Sequence, residues 1–184
     1  MNPANLATAR AGLNNYSASK VLNAPFERLC EVLCSSDEKT EWKSSLLSAG
    51  ELSRTSEIAF ADMPSRLVVF EHYKLAPGFQ HRDYVLSCTW ELVEGAADAP
   101  TRVSLVMQST EDEAMPVRSD RVRAAINFLR YDLERLPDGA GVKVDVEVNL
   151  DPMGVVPIWF VNFYARSWCG KELVALEKQA LSRS

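Results

Sequence analysis

The sequence predicts an α+β fold: a curved antiparallel β-sheet wrapped around a long C-terminal α-helix, with two short helices after the first strand. Three observations carry this reading. Near the N-terminus, apolar residues recur at helical spacing after Ala24-Pro25. From residue 48 onward the apolar period changes to two. The last alternating strand then ends in D-P-M-G-V-V-P (151–157), and a helix follows with Trp159, Phe160, Phe163, Tyr164 and Trp168 inside ten residues. That much aromatic surface needs something large and apolar to lie against.

The elements follow in order. Residues 1–15 are small and polar and read as an N-terminal arm or short helix. Tyr16 to Leu22 reads as a first strand. Pro25 suits a first helical turn, and Phe26, Leu29, Val32 and Leu33 share one helical face. A second short helix is expected after Ser35-Ser36-Asp37, capped by Ser or Asp and carrying Trp42 and Leu46. Roughly six antiparallel strands come next. In one, Leu67, Val69, Tyr73 and Leu75 alternate with Val68, Phe70 and His72. In another, Arg82, Tyr84, Leu86, Cys88, Trp90 and Leu92 share a face. Val103, Leu105 and Met107 face in from a third. Val142, Val144, Val146, Val148 and Leu150 form the cleanest alternation, after a hairpin turn at 138–141. Residues 122–136 read two ways. Val122, Ala125, Ile126, Leu129, Leu133 and Leu136 fit a helical stripe, whereas Asn127, Leu129, Tyr131 and Leu133 share a strand face. Pattern alone slightly favours the helix; the turn and strand that follow favour a hairpin partner.

Composition bounds the function. The 184 residues, 47% of them hydrophobic, fit one domain with a substantial core, here placed at 16–182. A net charge of −5 argues against a nucleic-acid partner, which needs a cationic face, and against strong electrostatic docking on anionic membranes. No stretch is apolar enough to span a bilayer, and the N-terminus lacks the apolar core of a signal peptide, so a cytoplasmic monomer is expected. Cys30, Cys34, Cys88 and Cys169 lack a disulfide-framework spacing and read as buried thiols. Asn15-Tyr16-Ser17 matches a glycosylation acceptor by chance.

Four segments, arriving in order, carry a resemblance. Ala24-Pro25 through Val32-Leu33 and on to Glu41-Trp42 resembles a first helix pair ending in an acidic-Trp dipeptide. Arg82-Asp83-Tyr84-Val85 resembles an R-D-F-V strand opening, and Val122-Arg123-Ala124 a V-R-x step into the next hairpin. Asp151, Gly154 and Pro157 with Asn162 resemble a D-x-x-G-x-x-P…N lead into a closing helix. Together these resemble the START (steroidogenic-acute-regulatory-related lipid transfer) family of the Bet v 1-like (SRPBCC) helix-grip superfamily, over about residues 16–180. The resemblance places 122–136 in a hairpin. Two departures stand out. The extra N-terminal helix and hairpin of usual START domains have only about fifteen residues available here. The buried acidic–Arg pair of sterol-binding members is broken too: Glu71 could be the acid, but the position six after Arg82 is Cys88.

The resemblance implies non-enzymatic binding, and intermembrane transfer, of a lipid or other hydrophobic ligand between sheet and C-terminal helix. No cofactor, metal or nucleic acid is implied. The expected cavity residues are Glu71, Tyr73, Arg82, Tyr84, Leu86, Cys88, Trp90, Leu105, Met107, Tyr131, Val144 and Val146 from the sheet and Trp159 and Phe163 from the helix. Leu75, Pro77, Gly78 and Phe79 form the entrance loop, which would gate the cavity or touch a membrane transiently. Each has a plainer alternative: an ordinary turn with a packed Phe, and helix aromatics that only pack on the sheet.

If Glu71 faces inward, it needs a partner or a proton, and Arg82 is the first candidate; otherwise a twist or bulge turns it out to solvent. The rival function is a cyclase- or hydrolase-type enzyme on a polyketide-like or aromatic molecule. It would use Glu71 with Tyr73 or Tyr131 as acid and base, provided desolvation raises the Glu pKa. A zinc site of Cys30, Cys34, His72 and His81 has poor spacing. No phosphate loop, nucleophile elbow or H-E-x-x-H motif is present.

Overall fold

The computed structural model describes residues 12–182, so most of the arm expected at 1–15 lies outside the described residues. Strand β1 (Tyr16–Leu22) is followed by helices α1 (Phe26–Cys34) and α2 (Ser36–Trp42). Pro25 precedes α1 with φ −58°, and α1 buries Phe26, Leu29, Val32 and Leu33. Ser35 caps α2 by accepting from Glu38 N. The helix stops at Trp42, because Lys43 is extended and Ser45 takes φ 68°. Leu46, expected on this helix, therefore begins strand β2 (Leu46–Arg54) instead.

A short hairpin, β3 (Ile58–Phe60) with β4 (Met63–Pro64), leads to β5 (Arg66–Tyr73), β6 (Arg82–Ala96) and β7 (Ala99–Ser109). After β8 (Val122–Arg123) come β9 (Ala125–Arg135), β10 (Val142–Asp151) and the closing helix α3 (Ile158–Ser182). Residues 125–135 are thus strand, against the helical stripe that their pattern alone favours. Pairing decides it: β9 has β10 on one side and β7 on the other, in register with Leu129, Tyr131 and Leu133 facing the core.

Among the described residues the main sheet runs β1-β10-β9-β7-β6-β5-β2, with β8 pairing parallel to the start of β6. Register shifts at Asn149/Leu150, Leu92/Glu94 and Glu51/Ser53 mark bulges, which bend a sheet. Gly141, at φ +109°, cannot be replaced cheaply: a Cβ there would lie 2.7 Å from the Leu22 carbonyl oxygen. The inner face is covered by α3, whose Cys169, Leu173, Leu176 and Ala180 recur at helical spacing and are buried. Helix α3 packs with β1, α1, β10 and α2. No helix among the described residues is long and apolar enough to cross a membrane.

Candidate functional site

The first half of α3 packs differently from the second. Beneath it lies a pocket of ≈ 180 Å3. Phe160, Val161, Tyr164, Ala165 and Trp168 form its roof. Its floor comes from the inner faces of β5 (Glu71, Tyr73), β6 (Arg82, Tyr84), β9 (Ile126, Leu129) and β10 (Val148, Leu150). The rim is made by Lys43–Ser45, by Lys74–Ala76, and by Pro152 and Val156.

This apolar pocket carries polar groups, and the register explains why. Glu71 pairs with Tyr84 and Tyr73 with Arg82 across β5 and β6, so alternation sends all four side chains to the same face. Glu71 is buried, but its partner is not Arg82, the candidate that the sequence offered. Lys39 Nζ of α2 lies 3.0 Å from its Oε1 and Lys43 Nζ lies 3.3 Å from its Oε2. The Tyr73 hydroxyl donates to Oε2 at 2.6 Å. Lys43 also reaches Glu172 of α3 at 3.9 Å, and Glu172 accepts from the Tyr131 hydroxyl at 2.9 Å. Two ammonium groups and two carboxyls are thus buried together.

Their proton affinities diverge. Burial alone would raise the Glu71 pKa, but the Lys43 and Lys39 ammonium groups and the Tyr73 hydroxyl outweigh it and hold the pKa at about 2. Glu172 moves upward, because burial exceeds the help it receives from Lys43 and Tyr131. Burial pushes the Tyr84 hydroxyl upward as well. The acid–base use of Glu71 foreseen from sequence required a raised pKa, and the lysines reverse its sign.

Arg82 serves a different purpose. It donates to the carbonyls of Pro152 and Met153 in the turn before α3 and to Gln80 in the loop before β6. That turn needs holding, since Met153 and Gly154 both take positive φ, 54° and 63°. Asp151 Oδ1 accepts from Met153 N at 2.8 Å, closing the turn from the other side. The D-P-M-G segment is therefore a clamped reversal that aims α3 across the sheet.

The other expected residues separate into three groups. Leu86, Cys88, Trp90, Leu105, Met107, Tyr131, Val144 and Val146 are buried on the inner face, but they belong to the packed core beyond the pocket. There the second half of α3 already fills the space. Trp159 and Phe163 do not line the pocket: they are 71% and 76% exposed. Helical spacing turns them outward, while Val161, Ala165 and Trp168 face in. In the entrance loop Leu75 lines the pocket and Pro77 and Gly78 do not. Phe79 stacks on Phe160 of α3 with ring centroids 5.5 Å apart, bridging loop and helix.

Sequence reasoning missed Lys39, Lys43 and Glu172. Lys39 and Lys43 stand at i, i+4 around Trp42, and Glu172 interrupts the apolar stripe Cys169, Leu173, Leu176, so each sits where a buried residue was due. The Cys and His residues weighed for zinc do not assemble. Among the described residues no group of three or more His, Cys, Asp or Glu side chains is placed to hold a metal ion. His72 Nε2 instead meets His81 Nδ1 at 3.2 Å.

No family model matches the chain, and no curated protein matches it. Solved structures do. Human STARD10 superposes with a TM-score of 0.77 at 20% identity, covering 97% of this chain and 73% of that one. The STAR-related lipid transfer protein fragment from Xanthomonas axonopodis gives 0.74 at 20% identity, covering 97% and 90%. A more distant likeness, 0.54 at 10% identity over 91% and 48%, is to the di-domain ARO/CYC protein BexL. The chain has the helix-grip fold of the START domains.

Proposed function

We propose that this chain binds a lipid or other hydrophobic ligand between the sheet and the first half of α3, and carries it between membranes. The observation that supports this most is the pocket itself. Its walls are largely aliphatic and aromatic, and Lys43, Glu71, Tyr73, Arg82 and Tyr84 give it polar groups. A tail lies along the apolar walls while a head meets the polar groups. Solved structures named for lipid transfer share the fold, which supports the same reading.

At ≈ 180 Å3 the pocket is smaller than the roughly 300–1,000 Å3 of common ligand sites. Loading therefore requires the 74–81 loop and the start of α3 to part, which breaks the Phe79–Phe160 stack. Val155, Trp159 and Phe163 stand exposed beside that mouth. Such side chains suit the boundary between headgroups and acyl chains, so the mouth meets a membrane transiently while the ligand passes.

Native mass spectrometry of freshly purified protein, followed by transfer of a fluorescent lipid between vesicles, tests the proposal. Co-purified lipid and accelerated transfer support it. A protein that carries nothing and binds no fluorescent fatty acid, sterol or phospholipid refutes it. The cyclase or hydrolase reading has the likeness to BexL in its favour, but Glu71, held near 2, is a weak base at neutral pH.

A further inference from the structure

The walls of the pocket carry more positive than negative charge. Lys43 and Arg82 line it buried and Lys74 stands at its exposed rim, against one lining carboxylate, Glu71, with Glu172 behind it beside Lys43, in a chain whose net charge is −5. Glu71 is already shared by Lys39 and Lys43. Arg82 is 2% exposed, and among the described residues no carboxylate pairs with it. Its neighbour Asp83 is paired with Arg123 at 2.9 Å, and Asp151 accepts from Met153 N. The guanidinium is satisfied as a donor by carbonyls, which carry no net charge. A buried cation without a counter-ion is costly, and an anion delivered to the pocket would offset that cost. The Tyr84 hydroxyl adds a second observation. It is on the pocket wall, 8% exposed, and has no hydrogen-bond partner among the described residues.

We propose that the preferred ligand is a single-chain amphiphile with a carboxylate head, which Arg82, Lys43 and the Tyr84 hydroxyl receive in the pocket. This rests on the lipid-binding reading and narrows it. A pocket of ≈ 180 Å3 is close to engineered cavities of about 150 Å3 that hold one small apolar molecule, which favours one chain over two. The carboxylate supplies the negative charge that the lining lacks and accepts from Tyr84. A neutral head leaves Arg82 as it is, and a cationic head adds a like charge beside Arg82 and Lys43.

Calorimetric titration of the delipidated full chain with laurate, 1-dodecanol and dodecylamine, each below its micelle concentration, tests this. Laurate is expected to bind at least ten-fold more tightly than dodecanol, and dodecylamine least. Arg82→Gln should remove most of the preference, and Arg82→Lys should keep it. Since Arg82 also holds the turn before α3, Tyr84→Phe is the variant that spares the fold. It should weaken laurate about three-fold or more at an unchanged melting temperature. Equal affinity for laurate and dodecanol, tighter dodecylamine, or a laurate affinity indifferent to Tyr84→Phe overturns the carboxylate preference and leaves lipid binding standing. Binding of none of the three overturns the single-chain carboxylate preference, and lipid binding falls with it only if no fluorescent sterol or phospholipid binds either.

Discussion

The Lys39 ammonium lies 3.0 Å from the Glu71 carboxylate, and both side chains are 1% exposed. Neither faces water, so each is tolerable only because of the other. Lys43 and Glu172 complete the group. Removing one member leaves an unmatched charge in the core, whereas removing two of opposite sign leaves the remaining pair balanced. Glu71→Gln is therefore expected to destabilise the protein by roughly 3–5 kcal/mol. The double change Lys39→Met with Glu71→Leu should cost less than the sum of its single changes. Urea unfolding of the four proteins measures this, and strictly additive losses would refute it.

The same group predicts how stability depends on pH. Glu71 has its folded pKa held at about 2, below its ordinary 4.5. Between these values the unfolded chain binds the proton more readily, so the stabilisation is complete above 4.5 and is lost as pH falls toward 2. Glu172 moves the other way: its folded pKa is raised, so its term lowers stability as pH climbs through 4.5. Unfolding free energy should thus rise steeply up to about 4.5 and flatten or dip beyond it. In Glu71→Gln the acid-side slope should shrink. An unchanged slope would place the acid sensitivity elsewhere.

The fold was legible because alternation and turn chemistry agree with it nearly everywhere. Val142 to Leu150 could only be a half-buried strand, and Pro25 and Ser35 mark where α1 and α2 begin. The polar part of the pocket was half legible. Strand period put Glu71, Tyr73, Arg82 and Tyr84 on one face, but the partner of Glu71 comes from α2, and period alone does not say which helix covers which strand. Residues 122–136 defeated the pattern because Val122, Ile126, Leu129 and Leu133 fit a 3.6 period about as well as part of a period of two, until a partner strand decides. The aromatics of α3 misled for a related reason. They occur on both sides of the helix, so their number says nothing about which of them face in.

Trp159 and Phe163 give the clearest separation of surface from stability. Both project from the start of α3 with more than two thirds of their surface exposed. Replacing both by Ala should change unfolding free energy by no more than about 0.5 kcal/mol per site. On the proposed function the same variant should bind vesicles more weakly and transfer lipid more slowly, while its affinity for a ligand in solution stays the same. Co-sedimentation with neutral vesicles reads the first effect. Undiminished sedimentation would show that this face does not meet membranes.

His72 and His81 share one hydrogen bond, Nε2 to Nδ1, at 3.2 Å, beside the entrance loop. That bond needs one bare nitrogen, so it breaks when both rings are protonated. Burial, then Arg121 and His81, lower the His72 pKa from 6.5, while Asp83 and Asp120 act in the opposite sense. Its contribution is present above 6.5 and is lost as pH falls through the lowered folded value. Hydrogen exchange of the 74–81 amides, corrected for intrinsic rate, should accelerate as pH falls below 6.5 and should do so less in His72→Asn. Equal acceleration in the two proteins would count against the pair.

Phe79 and Phe160 bridge the entrance loop and α3 with a ring separation of 5.5 Å. Such pairs contribute about 0.5–1.5 kcal/mol beyond their buried area. If the mouth opens between them, the stack raises the barrier to ligand entry and exit without touching the ligand at depth. Phe79→Ala should then speed association and dissociation together, by a few-fold each, and leave the equilibrium affinity nearly constant. Stopped-flow fluorescence with a fluorescent fatty acid separates the two rates. A change confined to dissociation would make Phe79 part of the binding wall, because only contacts kept in the bound state slow release without slowing entry.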